Sequence, residues 1–211
     1  MDPLDFHFKH PITIQVSGKT RCGKTRLVRR ILEEQLIKLF AIRIIWVFSE
    51  WQPDYDMIRD LYPGREFEKW WRDEIFDSIS PKQRNILVLD DQMGVASLST
   101  SVADLFTKES RHRNLTVIYL VQNVYNQGKS QRTISLNSQY SVVFRNGRDA
   151  SQFRYMAYQI CSNDGKSGFL ILLQMPPTNL MGTWSLTTTH QHLKTRRSSP
   201  ILYLESSLPT K

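Results

Sequence analysis

Cysteine is scarce, with Cys22 and Cys161 the only two among 211 residues. Two thiols cannot form a disulfide framework, and neither has another cysteine or a histidine at ligand spacing, which argues against zinc. Long apolar runs are missing too. No stretch reaches the roughly 20 residues that cross a bilayer, and Met1-Asp2-Pro3-Leu4-Asp5 does not read as a signal peptide. No internal repeat is visible. These absences set the expectation of a non-secreted, intracellular protein in a reducing compartment with no membrane partner.

What remains is the composition of an ordinary globular protein, 40% hydrophobic and 23% charged. The length suits one domain built on a single sheet. The net charge of +8 is unevenly spread. Trp51 to Asp91 holds 10 acids against 6 bases, a local −4, and Lys108 to Lys166 holds 9 bases against 3 acids, a local +6. Such asymmetry points to one surface facing a polyanion rather than to a uniformly basic protein.

The most informative string is Gly18-Lys19-Thr20-Arg21-Cys22-Gly23-Lys24-Thr25, which meets G-x-x-x-x-G-K-[ST] at every fixed position. A β-type run, Ile12 to Val16, leads into it. A helix-period run with Leu27, Val28, Ile31, Leu32 and Leu36 on one face leads out. Glycines let backbone N–H groups curl around phosphates, and a helix N-terminus adds its positive dipole end. Lys24 is placed to reach the β- and γ-phosphates of ATP, and the Thr25 hydroxyl to ligate Mg²⁺.

The rest of the chain alternates. A first strand starts at Pro11, a helix is expected over 23–40, and Ile42 to Phe48 reads as a strand covered on both faces. Trp51 to Ser80 is acidic and aromatic, with Tyr55, Tyr62, Trp70 and Trp71; short helices over the sheet edge are expected, with a turn at Pro63-Gly64. Strands follow at Ile86 to Asp91, Leu115 to Gln122, Tyr140 to Phe144 and Phe169 to Gln174, and helices at Ser99 to His112 and Asp149 to Ile160. The pattern predicts an α/β fold, a P-loop NTPase with a mostly parallel central sheet flanked by helices, of RecA-like/ASCE type. The ATPase domain is expected over 1–178 and a poorly ordered tail over 179–211.

Several strand ends carry chemistry-bearing side chains. Asp90 ends an apolar strand, where a carboxylate can hold Mg²⁺ through water. Asp91 stands where related ATPases usually place a glutamate, and can orient or deprotonate the attacking water, although it is one methylene shorter. Gln122 ends another apolar strand, where an amide can contact the γ-phosphate or that water without adding charge. Arg111, Arg113, Arg132, Arg145 and Arg148 lie in the basic segment. Arg113 and Arg132 are the candidates for an arginine acting in trans on a neighbouring subunit's nucleotide, and others suit DNA phosphates. Trp46, Trp51, Trp70 and Trp71 read as core or interface rather than base-stacking platforms. Cys22 reads as a space-filler, not a nucleophile.

Gly18 to Thr25, Ile86 to Asp91, the run Ser110-Arg111-His112-Arg113-Asn114-Leu115-Thr116-Val117-Ile118-Tyr119-Leu120-Val121-Gln122-Asn123, and Gln127-Gly128-Lys129-Ser130-Gln131-Arg132-Thr133-Ile134-Ser135-Leu136-Asn137-Ser138 together resemble poxvirus-type genome-packaging ATPases. These occur in large DNA viruses and Polinton (Maverick) virus-like transposons, within the FtsK–HerA superfamily. The resemblance covers about residues 10 to 175. It implies an ATP-driven motor that assembles as a ring, expected as a hexamer, and threads double-stranded DNA into a capsid. It further implies a capsid or portal partner and action in the host nucleus or cytoplasm or at a viral assembly site. Lys24 and Thr25 then belong to the phosphate loop, Asp90 and Asp91 to the metal and water site, and Gln122 to the sensor. Three other readings stay open: another translocase or helicase, a non-hydrolysing nucleotide- or DNA-binding relic, and a small-molecule kinase.

Overall fold

The computed structural model describes residues 7–38, 43–61, 65–90, 99–122, 129–144, 169–173 and 201–204. Eight strands form one sheet: β1 (Thr13–Ser17), β2 (Arg43–Phe48), β3 (Glu66–Lys69), β4 (Asn85–Asp90), β5 (Leu115–Val121), β6 (Tyr140–Phe144), β7 (Phe169–Leu173) and β8 (Ile201–Leu204). Their order is β3-β2-β4-β5-β1-β6-β7-β8. Every neighbouring pair is parallel. Parallel strands need covered crossovers, so their faces are both buried and their sequences run nearly continuously apolar. Accordingly β1, β4 and β5 are buried at every residue.

The crossovers are α1 (Lys24–Glu33), α2 (Pro53–Leu61), α3 (Asp73–Asp77), α4 (Ser99–Asp104), a π-helical turn (Leu105–Glu109), α5 (Ser110–His112) and α6 (Lys129–Asn137). One face of the sheet packs Val28, Ile31 and Leu32 of α1 and Tyr55 and Ile58 of α2 against Ile14, Val16, Trp46, Val88, Ile118 and Leu120. The other packs Ile75 of α3, Leu105 and Phe106 of the π-turn and Ile134 of α6 against Val47, Leu87, Leu89, Val117, Tyr119 and Val121. Period-2 alternation along each strand sorts its side chains between these two cores.

The strand order carries the functional information. β1, which feeds the glycine-rich loop, is separated from β4, which ends at Asp90, by β5 alone. This is the arrangement of a RecA-like, ASCE-type P-loop NTPase fold.

Three expectations need correction. α1 ends at Glu33 rather than near Phe40; Leu36 and Lys38 instead bond the backbone of Phe8. Glu66–Lys69 is a strand, not part of a helical stretch, because pairing with β2 outweighs a charged local sequence of low β-propensity. The helix expected over 99–112 is unbroken in sequence but contains the π-turn at Leu105–Glu109. Within 179–211, the described residues Ile201–Leu204 form β8, paired with β7. The expected turn at Pro63-Gly64 and helix over 149–160 lie outside the described residues. Among those described, no helix is long and apolar enough to cross a membrane.

Candidate functional site

Gly18 to Thr25 connect the carboxyl end of β1 to α1, so the loop motif stands at the carboxyl edge of the sheet, beside the ends of β5 and β6. Two glycines are required there. A Cβ on Gly18 would sit 2.5 Å from Cys22 Sγ and 2.7 Å from Phe144 Cβ, closer than any real contact. Gly23 has φ of 94°, a left-handed conformation that L side chains rarely adopt. Arg21 is also left-handed, at φ 62°, and with Gly23 it curls the loop back on itself. Lys19, Thr20 and Arg21 are exposed on its outer side.

Lys24 opens α1, and its Nζ donates to the carbonyls of Gly18 at 2.7 Å and Lys19 at 3.1 Å. The ammonium is therefore held over the loop, beside the amides that the helix N-terminus leaves without intrahelical partners. Cys22 is 2% exposed. Burial pushes its thiol up from the ordinary value, against the opposing pull of Lys24. A protonated, packed thiol is a filler and not a nucleophile, as the sequence suggested.

Thr25 and Asp90, 65 residues apart in sequence, meet. Thr25 Oγ1 donates to Asp90 Oδ2 at 3.1 Å, with Thr25 8% and Asp90 3% exposed. Strand register explains the meeting. Ser17 pairs with Val121 and Leu120 with Asp90, so β1, β5 and β4 end at nearly one level. A carboxylate this deeply buried is costly unless it accepts hydrogen bonds or faces a cation. The pair fits Mg²⁺, a hard cation that takes one or two protein oxygens and fills its shell with phosphate and water. Among the described residues no group of three or more His, Cys, Asp or Glu gathers.

Gln122 follows β5 immediately and is exposed; Gly18 N–H donates to Val121 O at 3.1 Å, which brings Gln122 alongside the loop. Asp91 lies outside the described residues. Arg132 is exposed on α6. Arg113 is not brought to the site. It stands just before β5, at the amino end of the sheet, where its Nη1 donates to Phe76 O at 3.1 Å. Its Nε faces Glu109 at 3.3 Å, and the guanidinium lies over the Phe76 ring at 3.8 Å.

The structure also adds two residues that no motif marked. Tyr55 Oη donates to Asp90 Oδ2 at 2.7 Å. Gln52 Oε1 lies 3.5 Å from Thr25 Oγ1. Both come from the start of α2, inside the stretch read only as acidic and aromatic. A tyrosine 35 residues before its carboxylate has no local signature; only the pairing of β2 with β4 brings them together.

No family model and no curated protein matches the sequence. Among solved structures, the chain is similar to the genome packaging NTPase B204 from Sulfolobus turreted icosahedral virus 2 in complex with ATP-gammaS. The identity is 16%, covering 76% of this chain and 84% of that one, with a TM-score of 0.48. It is also similar to Thermomonospora curvata EccC (ATPases 2 and 3) in complex with a signal sequence peptide. There the identity is 16%, covering 65% of this chain and 30% of that one, with a TM-score of 0.45. A third is the VirB11 ATPase of the Brucella suis type IV secretion system in complex with sulphate, at 16% identity, 70% and 51% coverage and a TM-score of 0.37.

Proposed function

We propose that this chain is an ATP-hydrolysing motor of the FtsK–HerA type that translocates double-stranded DNA, most specifically in packaging a viral or virus-like transposon genome into a capsid. The observation that carries the ATPase reading is the meeting of Thr25 and Asp90 at 3.1 Å beneath a complete phosphate loop. The amides of Gly18 to Thr25 cradle the phosphates and Lys24 offsets their charge. Thr25 would hold Mg²⁺ directly and Asp90 would hold it through water. When bound, that ion offsets charge on the β- and γ-phosphate oxygens. Asp91 accepts a proton from the attacking water, whose oxygen forms the new bond to the γ-phosphorus. The bond from that phosphorus to the β–γ bridging oxygen breaks, releasing ADP and inorganic phosphate. Gln122 orients the water or the γ-phosphate.

The translocation reading is supported by the sequence resemblance from Ser110 to Ser138 and by the basic segment from Lys108 to Lys166, suited to DNA phosphates. A ring of copies, expected as a hexamer, places an arginine of one subunit at its neighbour's nucleotide. Arg132, exposed on α6, suits that role better than Arg113, whose guanidinium is committed to Phe76 and Glu109. A capsid or portal protein completes the assembly.

The test is steady-state ATP hydrolysis with and without linear double-stranded DNA, with molar mass measured by light scattering. Turnover that rises with DNA in a ring-sized assembly is the expected result. Turnover indifferent to DNA in a monomer would overturn the motor reading while leaving the ATPase reading intact.

A further inference from the structure

Asp90 is fixed from three directions. Its backbone pairs with Phe48 of β2 on one side and Leu120 of β5 on the other. Its Oδ2 accepts both the Thr25 hydroxyl, at 3.1 Å, and the Tyr55 hydroxyl, at 2.7 Å. The second bond is the shorter, and it comes from a side chain with no freedom to move away. Tyr55 is 0% exposed, and its ring is clamped by Trp46 at 5.4 Å, Phe48 at 5.6 Å and Trp51 at 5.5 Å between centroids.

The same helical turn supplies Gln52. Tyr55 N–H donates to Gln52 O at 2.9 Å, closing the start of α2, and Gln52 Oε1 reaches to 3.5 Å of Thr25 Oγ1. The opening of α2 therefore touches both residues that would hold the cation.

We propose that Tyr55 is a positioning residue of the metal site: its hydroxyl orients the Asp90 carboxylate and thereby sets the affinity of the site for Mg²⁺. A phenol on a rigid aromatic platform can hold a carboxylate rotamer that solvent would otherwise randomise. A hydrogen bond to an ionised oxygen is about twice as strong as one between neutral groups. Groups that orient a metal-holding residue typically govern metal affinity or activity by about 10- to 100-fold when removed. The proposal rests on the reading of this corner as a Mg²⁺–nucleotide site.

A tyrosine that merely fills space gives a different result, and Tyr55→Phe separates the two, since it keeps the ring and removes only the hydroxyl. The experiment is equilibrium binding of a fluorescent ATPγS to the full chain as Mg²⁺ is titrated, for wild type, Lys24→Ala and Tyr55→Phe. The expected result is a Mg²⁺ half-saturation raised about 10-fold or more in Tyr55→Phe. Nucleotide binding in the presence of EDTA stays as in wild type. An unchanged half-saturation in Tyr55→Phe, with wild type binding normally, would remove the positioning role alone. An equal loss in EDTA would mark a general packing defect and also overturn it. Absence of Mg²⁺-dependent binding in wild type, or binding untouched by Lys24→Ala, would remove the nucleotide-site reading together with this proposal.

Discussion

The two ends of the one sheet are both rich in polar side chains, and they use them differently. At the amino end the polar groups close on the chain itself. Arg43 makes a bidentate pair with Glu66, both contacts at 2.6 Å, and also donates to Ser78 O at 2.7 Å. Asn85 Nδ2 donates to Ser80 O and Gln83 O at 2.9 and 2.8 Å. Arg113 spans Phe76 O and Glu109. His10 sits between Asn114 Oδ1 at 2.9 Å and Thr116 Oγ1 at 2.8 Å. These bonds tie loops to strand starts. At the carboxyl end, Lys24 and Thr25 of α1, Tyr55 of α2, Asp90 of β4 and Gln122 at the end of β5 arrive from four elements or their edges and converge on one place. Polarity at a strand end is thus no sign of a site; convergence is.

The largest effect that would break this contrast belongs to Lys24→Ala. Loss of the ammonium should lower ATP turnover about 100-fold or more, with the thermal midpoint near wild type, as a combined turnover and melting series would show. Gly18→Ala comes next. Its Cβ collides with Cys22 Sγ and Phe144 Cβ, so the loop must shift; nucleotide binding measured by fluorescence titration should weaken about 10- to 100-fold.

At the other end, Arg113→Ala should behave oppositely. Removing the guanidinium takes one donor from Phe76 O, which keeps the Ile79 N–H, and the partner from the partly exposed Glu109. The cost should be about 0.5–1.5 kcal/mol in chemical denaturation, with turnover per folded molecule unchanged. A large loss of turnover at unchanged stability would return Arg113 to the catalytic set.

The smallest effect concerns His10. Burial lowers its pKa below the ordinary 6.5, with Arg84 adding to the shift and the Asn114 bond opposing it. Because an amide oxygen only accepts, Nε2 carries the proton toward Asn114, and Nδ1 accepts from the Thr116 hydroxyl. The unfolded chain takes up a proton near 6.5 before the folded one does. His10 therefore contributes stability above pH 6.5 that is lost as pH falls through its lowered folded value. The thermal midpoint should decline less steeply below pH 6.5 in His10→Gln than in wild type. Identical slopes would show that His10 does not titrate differently in the two states.

Much of this was legible from residues alone, because local rules govern it. The loop string, the apolar strands β1, β2, β4 and β5, and the placement of Asp90 and Gln122 at strand ends all follow from patterns a few residues long. β3 was not legible, since Glu66–Lys69 alternates charge with one phenylalanine and owes its conformation to β2 beside it. The contacts of Arg113 were equally illegible: a basic residue before a strand looks the same whether or not its guanidinium reaches Phe76 O. Tyr55 was invisible as a site residue, because its partner is set by strand order and by the aromatic cluster that holds its ring.

The proposed Mg²⁺-nucleotide site stands at the carboxyl end of the sheet, where β1, β5 and β4 end side by side. Equilibrium binding of fluorescent ATPγS with Mg²⁺ tests it most directly, comparing wild type, Lys24→Ala and Arg113→Ala. Saturable one-to-one binding in wild type and Arg113→Ala, abolished in Lys24→Ala, is the predicted result. Binding that survives Lys24→Ala, or that is lost equally in Arg113→Ala at full stability, would contradict it.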